Sequence, residues 1–120
     1  MLMSVHIDNI NDLAVVECEG RLGSEAAFRL REAVTSQTEA RIVVLDLSEV
    51  YAIGGDGLGT LVFLQQWTGD HGIQFKLFNP SRSVREGLEH AGSMSAFDIA
   101  TLHEMMALLG RADPRYALAA

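Results

Sequence analysis

The stretch RIVVLDL at residues 41–47 constrains this chain more than any other feature, because its apolar residues run on without the alternation of a half-buried strand. A strand that hydrophobic must be covered on both faces, which is the situation of an inner strand of a parallel sheet flanked by helices. The chain then turns through Gly54, Gly55, Gly57 and Gly59 around one acid, Asp56, and enters an apolar segment at helical spacing. A strand, a glycine turn and a helix in that order make a βα unit, so the fold class expected is α/β.

The flanking segments extend the same rhythm. Val5 and Ile7, with Met3, alternate with Ser4, His6 and Asp8 as in a half-buried first strand, and Asn9 to Asp12 reads as a turn. In the segment LAVVECEG, Ala14, Val16 and Cys18 share one face and Glu17 and Glu19 the other. Ser24 stands where a helix N-cap is expected, and Ala26, Ala27, Leu30, Ala33 and Val34 recur at helical spacing behind it. The glycine-led helix is expected from about Gly57 to Thr68, with Gly69 or Gly72 ending it. Ile73, Phe75 and Leu77 then alternate as a strand, NPSRS turns into a short helix, and AFDI precedes a last helix. Strands alternating with helices from residue 13 onward imply right-handed crossovers and a mostly parallel sheet, with the N-terminal strand at an edge. The expected division is one domain over residues 1–112 and a tail over 113–120.

Composition narrows the function. At 120 residues the chain has one domain's worth of sequence, and its net charge of −7 with scattered Lys and Arg argues against nucleic-acid binding. Cys18 is the only cysteine, which excludes an intrachain disulfide and a Cys-rich metal site; it reads as a small core residue. The first residues lack the pattern of a signal peptide and no apolar run reaches the roughly 20 residues that span a bilayer, so a cytoplasmic location without membrane insertion is expected.

The glycine turn is no phosphate cradle. A P-loop needs a Lys after its glycines, and none lies between Arg41 and Lys76. The Gly55-Asp56-Gly57-Leu58-Gly59 spacing fails the dinucleotide fingerprint, and Asp56 would repel an anion. The plain alternative is structural: Asp56 caps the helix and the glycines allow positive φ and close packing. Asp46, at the end of the buried strand, is expected to hold loop amides. His6, His71, His90 and His103 fall in separate elements without metal-ligand spacing, and Ser48 lies in a turn without the surroundings of a hydrolase nucleophile. Glu86 and Glu89 share a helix face that solvent explains better than acid–base catalysis. No cofactor and no enzymatic activity are expected.

At this point the residues resemble a known family. VVLDLSEVYAIGGDGLGTL is similar to the signature of STAS domains, the anti-sigma factor antagonist fold, whose usual form is vvlDlsxVxxiDSSGLgxL. Asp46, Leu47, Ser48, Val50, Ile53, Gly57, Leu58, Gly59 and Leu61 fall on matching positions. Downstream, KLFNPSRSVREGLEHAGSMSAFDI is similar to lvnpspxvxxvLexxGlxxxfxi. The resemblance implies a single STAS-like domain that acts by binding proteins. In the bacterial antagonists a partner with a histidine-kinase-like ATPase fold phosphorylates one serine of the DSSG loop, which abolishes binding. Here Gly54 replaces the Asp, Gly55 the phosphorylated serine and Asp56 the second hydroxyl residue, so the acceptor is missing.

The resemblance thus points to an anti-sigma factor antagonist-like regulator whose partner is a histidine-kinase-like anti-sigma factor. The loop Gly54, Gly55, Asp56 and Gly57 is its expected binding edge. Asp56 would either imitate a phosphorylated state or leave the loop released from kinase control, and the second is favoured. A subunit docked on an ABC transporter ATPase and a small nucleotide-binding or hydrolytic domain are the alternatives, and homodimer formation stays open. Leu58, Leu61, Val62 and Leu64 should face the sheet, while Phe63 and Trp67 project from nearly the opposite side. They either pack on a neighbouring helix or form an aromatic interface patch beside the loop.

Overall fold

The computed structural model describes residues 4–112. The elements follow in the order β1 (Ser4–Ile10), β2 (Leu13–Leu22), α1 (Ser24–Thr35), β3 (Ile42–Ile53), α2 (Gly55–Asp70), β4 (Gln74–Phe78), α3 (Arg82–His90), a 3-10 turn (Met94–Ala96), β5 (Asp98–Ala100) and α4 (Leu102–Ala112). One five-stranded sheet carries them in the order β1-β2-β3-β4-β5. β1 pairs antiparallel with β2, and every later pair is parallel. The α/β class, the mostly parallel sheet and the edge position of the first strand are those the sequence implied. The tail over 113–120, and Met3 of the first strand, lie outside the described residues.

The strand order dictates where the core sits. Strands β2 to β5 are added in one direction, so crossovers of the usual right hand deliver their helices to one face of the sheet. The packing agrees. Ala14, Val16 and Cys18 of β2 and Val43, Leu45 and Leu47 of β3 pack with Leu30 of α1, Leu61 and Leu64 of α2 and Leu88 of α3. The Leu residues of this cluster are fully buried, each contributing about 1.5–3 kcal/mol of transfer free energy. Among the described residues the opposite face is covered by α4, whose Met105, Leu108 and Ala112 meet Leu13, Val15 and Val44. Burial on both faces is why Ile42–Leu45 reads as an unbroken apolar run.

Strand β3 is longer than its apolar run suggests. It continues through Asp46, Ser48 and Glu49 to Ile53, and its register against β2 shifts twice, between Glu17 and Glu19 and between Gly20 and Arg21. The shifts let Leu47 and Val50, three apart, both reach the main core. Asp46 and Ser48 therefore lie within a strand, not at its end or in a turn. Asp46 Oδ1 accepts hydrogen bonds from the Ser48 N–H at 3.0 Å and the Ser48 hydroxyl at 2.8 Å. It holds its own strand's irregular stretch, not the amides of the glycine turn.

The helix caps depart from expectation in a consistent way. α1 is capped by Gly23 and α2 by Gly54, both in extended conformation and without a side-chain cap, so Ser24 is the first residue of its helix and Asp56 the second of its own. α2 starts two residues earlier than the sequence indicated, at Gly55, because Gly54 already has the extended conformation of a cap. Its far end is capped at His71, followed by Gly72 with φ +68°. Side-chain caps occur at α3, where the Ser81 hydroxyl accepts from Val84 N–H at 3.3 Å, and at α4, where the Thr101 hydroxyl accepts from Glu104 N–H at 3.0 Å and Glu104 Oε1 accepts from the Thr101 N–H in return.

Candidate functional site

The glycine turn sits at the C-terminal ends of β2 and β3, where two helix starts lie side by side. The Gly54 N–H donates to the Leu22 carbonyl at 3.1 Å, tying the β3–α2 turn to the β2–α1 turn. α2 then crosses so close to β2 that a Cβ at Gly57 would meet the Leu22 carbonyl oxygen at 2.6 Å and Ile53 Cγ1 at 2.9 Å. Gly57 is thus fixed by close approach. Gly54, Gly55 and Gly59 have nothing within 4 Å of a Cβ. None of the four has a positive φ, which corrects the expectation that the turn needs left-handed backbone.

Asp56 is not the cap. Its carboxylate makes no cap hydrogen bond and stands exposed in the first turn of α2, where the helix dipole favours an acid by about 0.3–1 kcal/mol. Gly54 and Gly55 are exposed beside it and Gly57 is buried, so the surface of the turn consists of bare backbone and one carboxylate. Gly55 has open space where the resemblance would place an acceptor side chain.

Next to the turn, Ser24, Phe28 and Arg31 of α1 and Asp56 and Thr60 of α2 line a shallow groove of about 310 Å³. Phe28 is 63% exposed, and Phe63, 37% exposed, lies under the Arg31 guanidinium at 4.2 Å from its ring centroid. The structure separates the two aromatics that the sequence grouped. Phe63 belongs to the exposed α1–α2 surface, whereas Trp67 is half-buried against the main core and stacks on His71, with centroids 4.1 Å apart. Val62, expected on the sheet-facing side, is 48% exposed. The sequence reading missed Phe28 and Arg31. Their signal was an aromatic residue off the Ala27–Leu30–Val34 stripe, three residues from an arginine.

The remaining candidates stay dispersed. His6, His71, His90 and His103 lie on β1, at the end of α2, on α3 and on α4, and no group of three His, Cys, Asp or Glu could hold a metal ion among the described residues. Glu86 and Glu89 are exposed, and Glu86 pairs with Arg82 at 3.4 Å. Cys18 is buried in the main core; burial, and secondarily the charge of Asp46, push its thiol up to about 12. Such a thiol is protonated and inert at neutral pH. No helix among the described residues is long and apolar enough to cross a membrane.

This fold, one domain with a five-stranded, mostly parallel sheet and four helices, recurs in known proteins. The anti-sigma factor antagonist SpoIIAA in its unphosphorylated form superposes with a TM-score of 0.73 at 15% identity, over 88% of this chain and 96% of that one. An anti-sigma factor antagonist from Mycobacterium paratuberculosis gives 0.75 at 20% identity, over 89% and 93%. The Bacillus cell fate determinant SpoIIAA in its phosphorylated form gives 0.68 at 14% identity, over 88% and 99%. These likenesses show the fold. No curated protein matches the chain significantly. The profile of the STAS domain matches residues 3–105, most of the sequence, and the chain belongs to the STAS domain family.

Proposed function

We propose that this chain is a protein-binding regulator of the anti-sigma factor antagonist kind that has lost its phosphate acceptor. Its partner is a histidine-kinase-like anti-sigma factor, docked across the Gly54–Gly57 turn and the adjoining α1–α2 groove, and the exchange takes place in the cytoplasm. The observation that carries the reading is the turn itself: exposed backbone at Gly54 and Gly55, with no side chain at 55, beside an exposed Asp56. The aromatic surface of Phe28 and Phe63 next to it is of the type enriched in interface cores. The serine and threonine hydroxyls nearest in sequence are poorly placed for a kinase. Thr60 is 2% exposed inside α2, and the Ser48 hydroxyl is engaged by Asp46.

The test is mass-spectrometric mapping after incubation with ATP and a histidine-kinase-like anti-sigma factor that binds the chain. The native chain should remain unmodified. Gly55→Ser places a hydroxyl in open space and should be modified slowly, because Asp56 opposes an incoming anionic phosphoryl group. Gly55→Ser combined with Asp56→Ser should be modified faster. Stoichiometric phosphate on native Ser24, Ser48 or Thr60 would mean that the switch has moved, and the reading would fail.

A further inference from the structure

A second cavity lies far from the turn, on the other face of the sheet. It is a groove of about 520 Å³ between α4 and the N-terminal ends of β2, β3 and β4, within the size range of small-molecule sites. His103, Ala107 and Arg111 border it at i, i+4 and i+8, one edge of α4 that spans about 12 Å. Ala107 in the middle keeps the edge low. The apolar wall is made by Leu13, Ile42 and Leu108.

The polar groups around the groove divide into committed and free. Asp12 faces Arg41 at 3.7 Å, and Glu104 accepts a hydrogen bond from the Thr101 N–H at 3.0 Å. Lys76, its side chain 13% exposed, is neutralised by Asp98 at 2.6 Å. The side chains of Arg111 and His103 have no hydrogen-bond or ion-pair partner among the described residues. Both acids of the lining are occupied, then, while an Arg and a His remain at the two ends of an apolar trough. An always-charged planar guanidinium at the edge of an apolar wall matches a carboxylate bidentately.

We propose that this groove binds a small carboxylate with an apolar body, the carboxylate on Arg111 and the body along Leu13, Ile42 and Leu108. The site shares no residue with the glycine turn and does not depend on the partner assigned there. Its place against the far-face core gives the ligand a route to act on the protein: it would clamp α4 to the sheet.

The experiment is an amide-resolved NMR titration of the full chain with 2-naphthoate, with 2-naphthamide as a probe of the same body without the charge. Saturable shifts are expected at Leu13, Ile42, Gln74, Ala107 and Arg111, with the amide at least about tenfold weaker. Arg111→Gln should abolish the difference between the two probes. Ala107→Phe, on the exposed edge of α4, should fill the trough and block both while leaving the rest of the spectrum native. The proposal is overturned by the absence of saturable shifts below about 10 mM. Equal affinity for the two probes, shifts centred on the α1–α2 groove, or undiminished naphthoate binding by the folded Ala107→Phe chain would overturn it as well.

Discussion

Gly57 and Gly59 are two residues apart in one helix, yet opposite forces decide what each tolerates. A methyl at 57 would press on the Leu22 carbonyl, which belongs to a core strand and cannot swing aside. The clash outweighs the gain in helix propensity, so Gly57→Ala should destabilise by about 1–3 kcal/mol. A methyl at 59 meets nothing within 4 Å, so propensity alone acts and Gly59→Ala should stabilise by about 1 kcal/mol. Urea midpoints of the two variants check both signs, and two changes of the same sign would refute the account of Gly57. At Cys18 the folded thiol is pushed up to about 12 from an ordinary 9.0. Between those values the native state holds a proton that the unfolded state has released. Stability from this thiol is therefore whole below pH 9 and falls as pH rises toward 12, at no more than about 1.4 kcal/mol per pH unit. The native protein should also leave Cys18 unlabelled by thiol reagents at about pH 8 until it unfolds; rapid labelling would contradict the burial. The core role of Cys18 was legible in the alternation of its strand. The tightness at Gly57 was not, since sequence alone cannot tell a glycine wedged against a carbonyl from one in open space.

For whole elements, periodicity carried further than boundaries. The five strands and four helices follow the order that the hydrophobic pattern implied, because each pattern reports a face that must be buried. The starts of α1 and α2 did not, because Ser24 and Asp56 are good cap residues placed one and two positions beyond caps that are glycines. The end of β3 was hidden by Asp46, Ser48 and Glu49, whose polarity broke the apolar run although hydrogen bonds and register shifts carry the strand onward. Real and apparent caps should separate under mutation. Ser81→Ala removes the acceptor for the Val84 N–H and should cost about 1 kcal/mol, whereas Asp56→Ala loses only a dipole contact worth a few tenths. Chemical denaturation of both variants decides, and a larger loss at Asp56 would restore it as the cap.

Across the whole molecule, the surface around the turn is where stability and binding should come apart. Phe28 and Phe63 are exposed and Trp67 packs against the main core. Phe28→Ala and Phe63→Ala should leave stability within about 0.5 kcal/mol of native while weakening partner affinity up to about thirtyfold if they form the hot spot. Trp67→Ala should instead lower the midpoint of unfolding. Calorimetry on the complex together with melting of each variant distinguishes these, and unchanged affinity in both Phe variants would remove the aromatic surface from the site. The glycine turn was visible in the sequence as a candidate because its composition is unusual for a helix start. The contribution of α1 was not, since it exists only where two turns, thirty-one residues apart between Gly23 and Gly54, are tied by one backbone hydrogen bond.

The strand order never doubles back, and that has a further consequence. In sheets whose order reverses, neighbouring crossovers depart to opposite faces and leave a cleft between them at the carboxyl ends of the strands, the usual berth of a cofactor or substrate. Here the helices after β2, β3 and β4 pack on the same side and only α4, after β5, takes the other, so no such fork opens between β2 and β3, where the glycine turn sits. What that end presents is a low ridge of helix starts with a shallow furrow along it. A ridge is poorly suited to enclosing a solute and well suited to being straddled, which is the shape that the proposed contact between two protein surfaces requires.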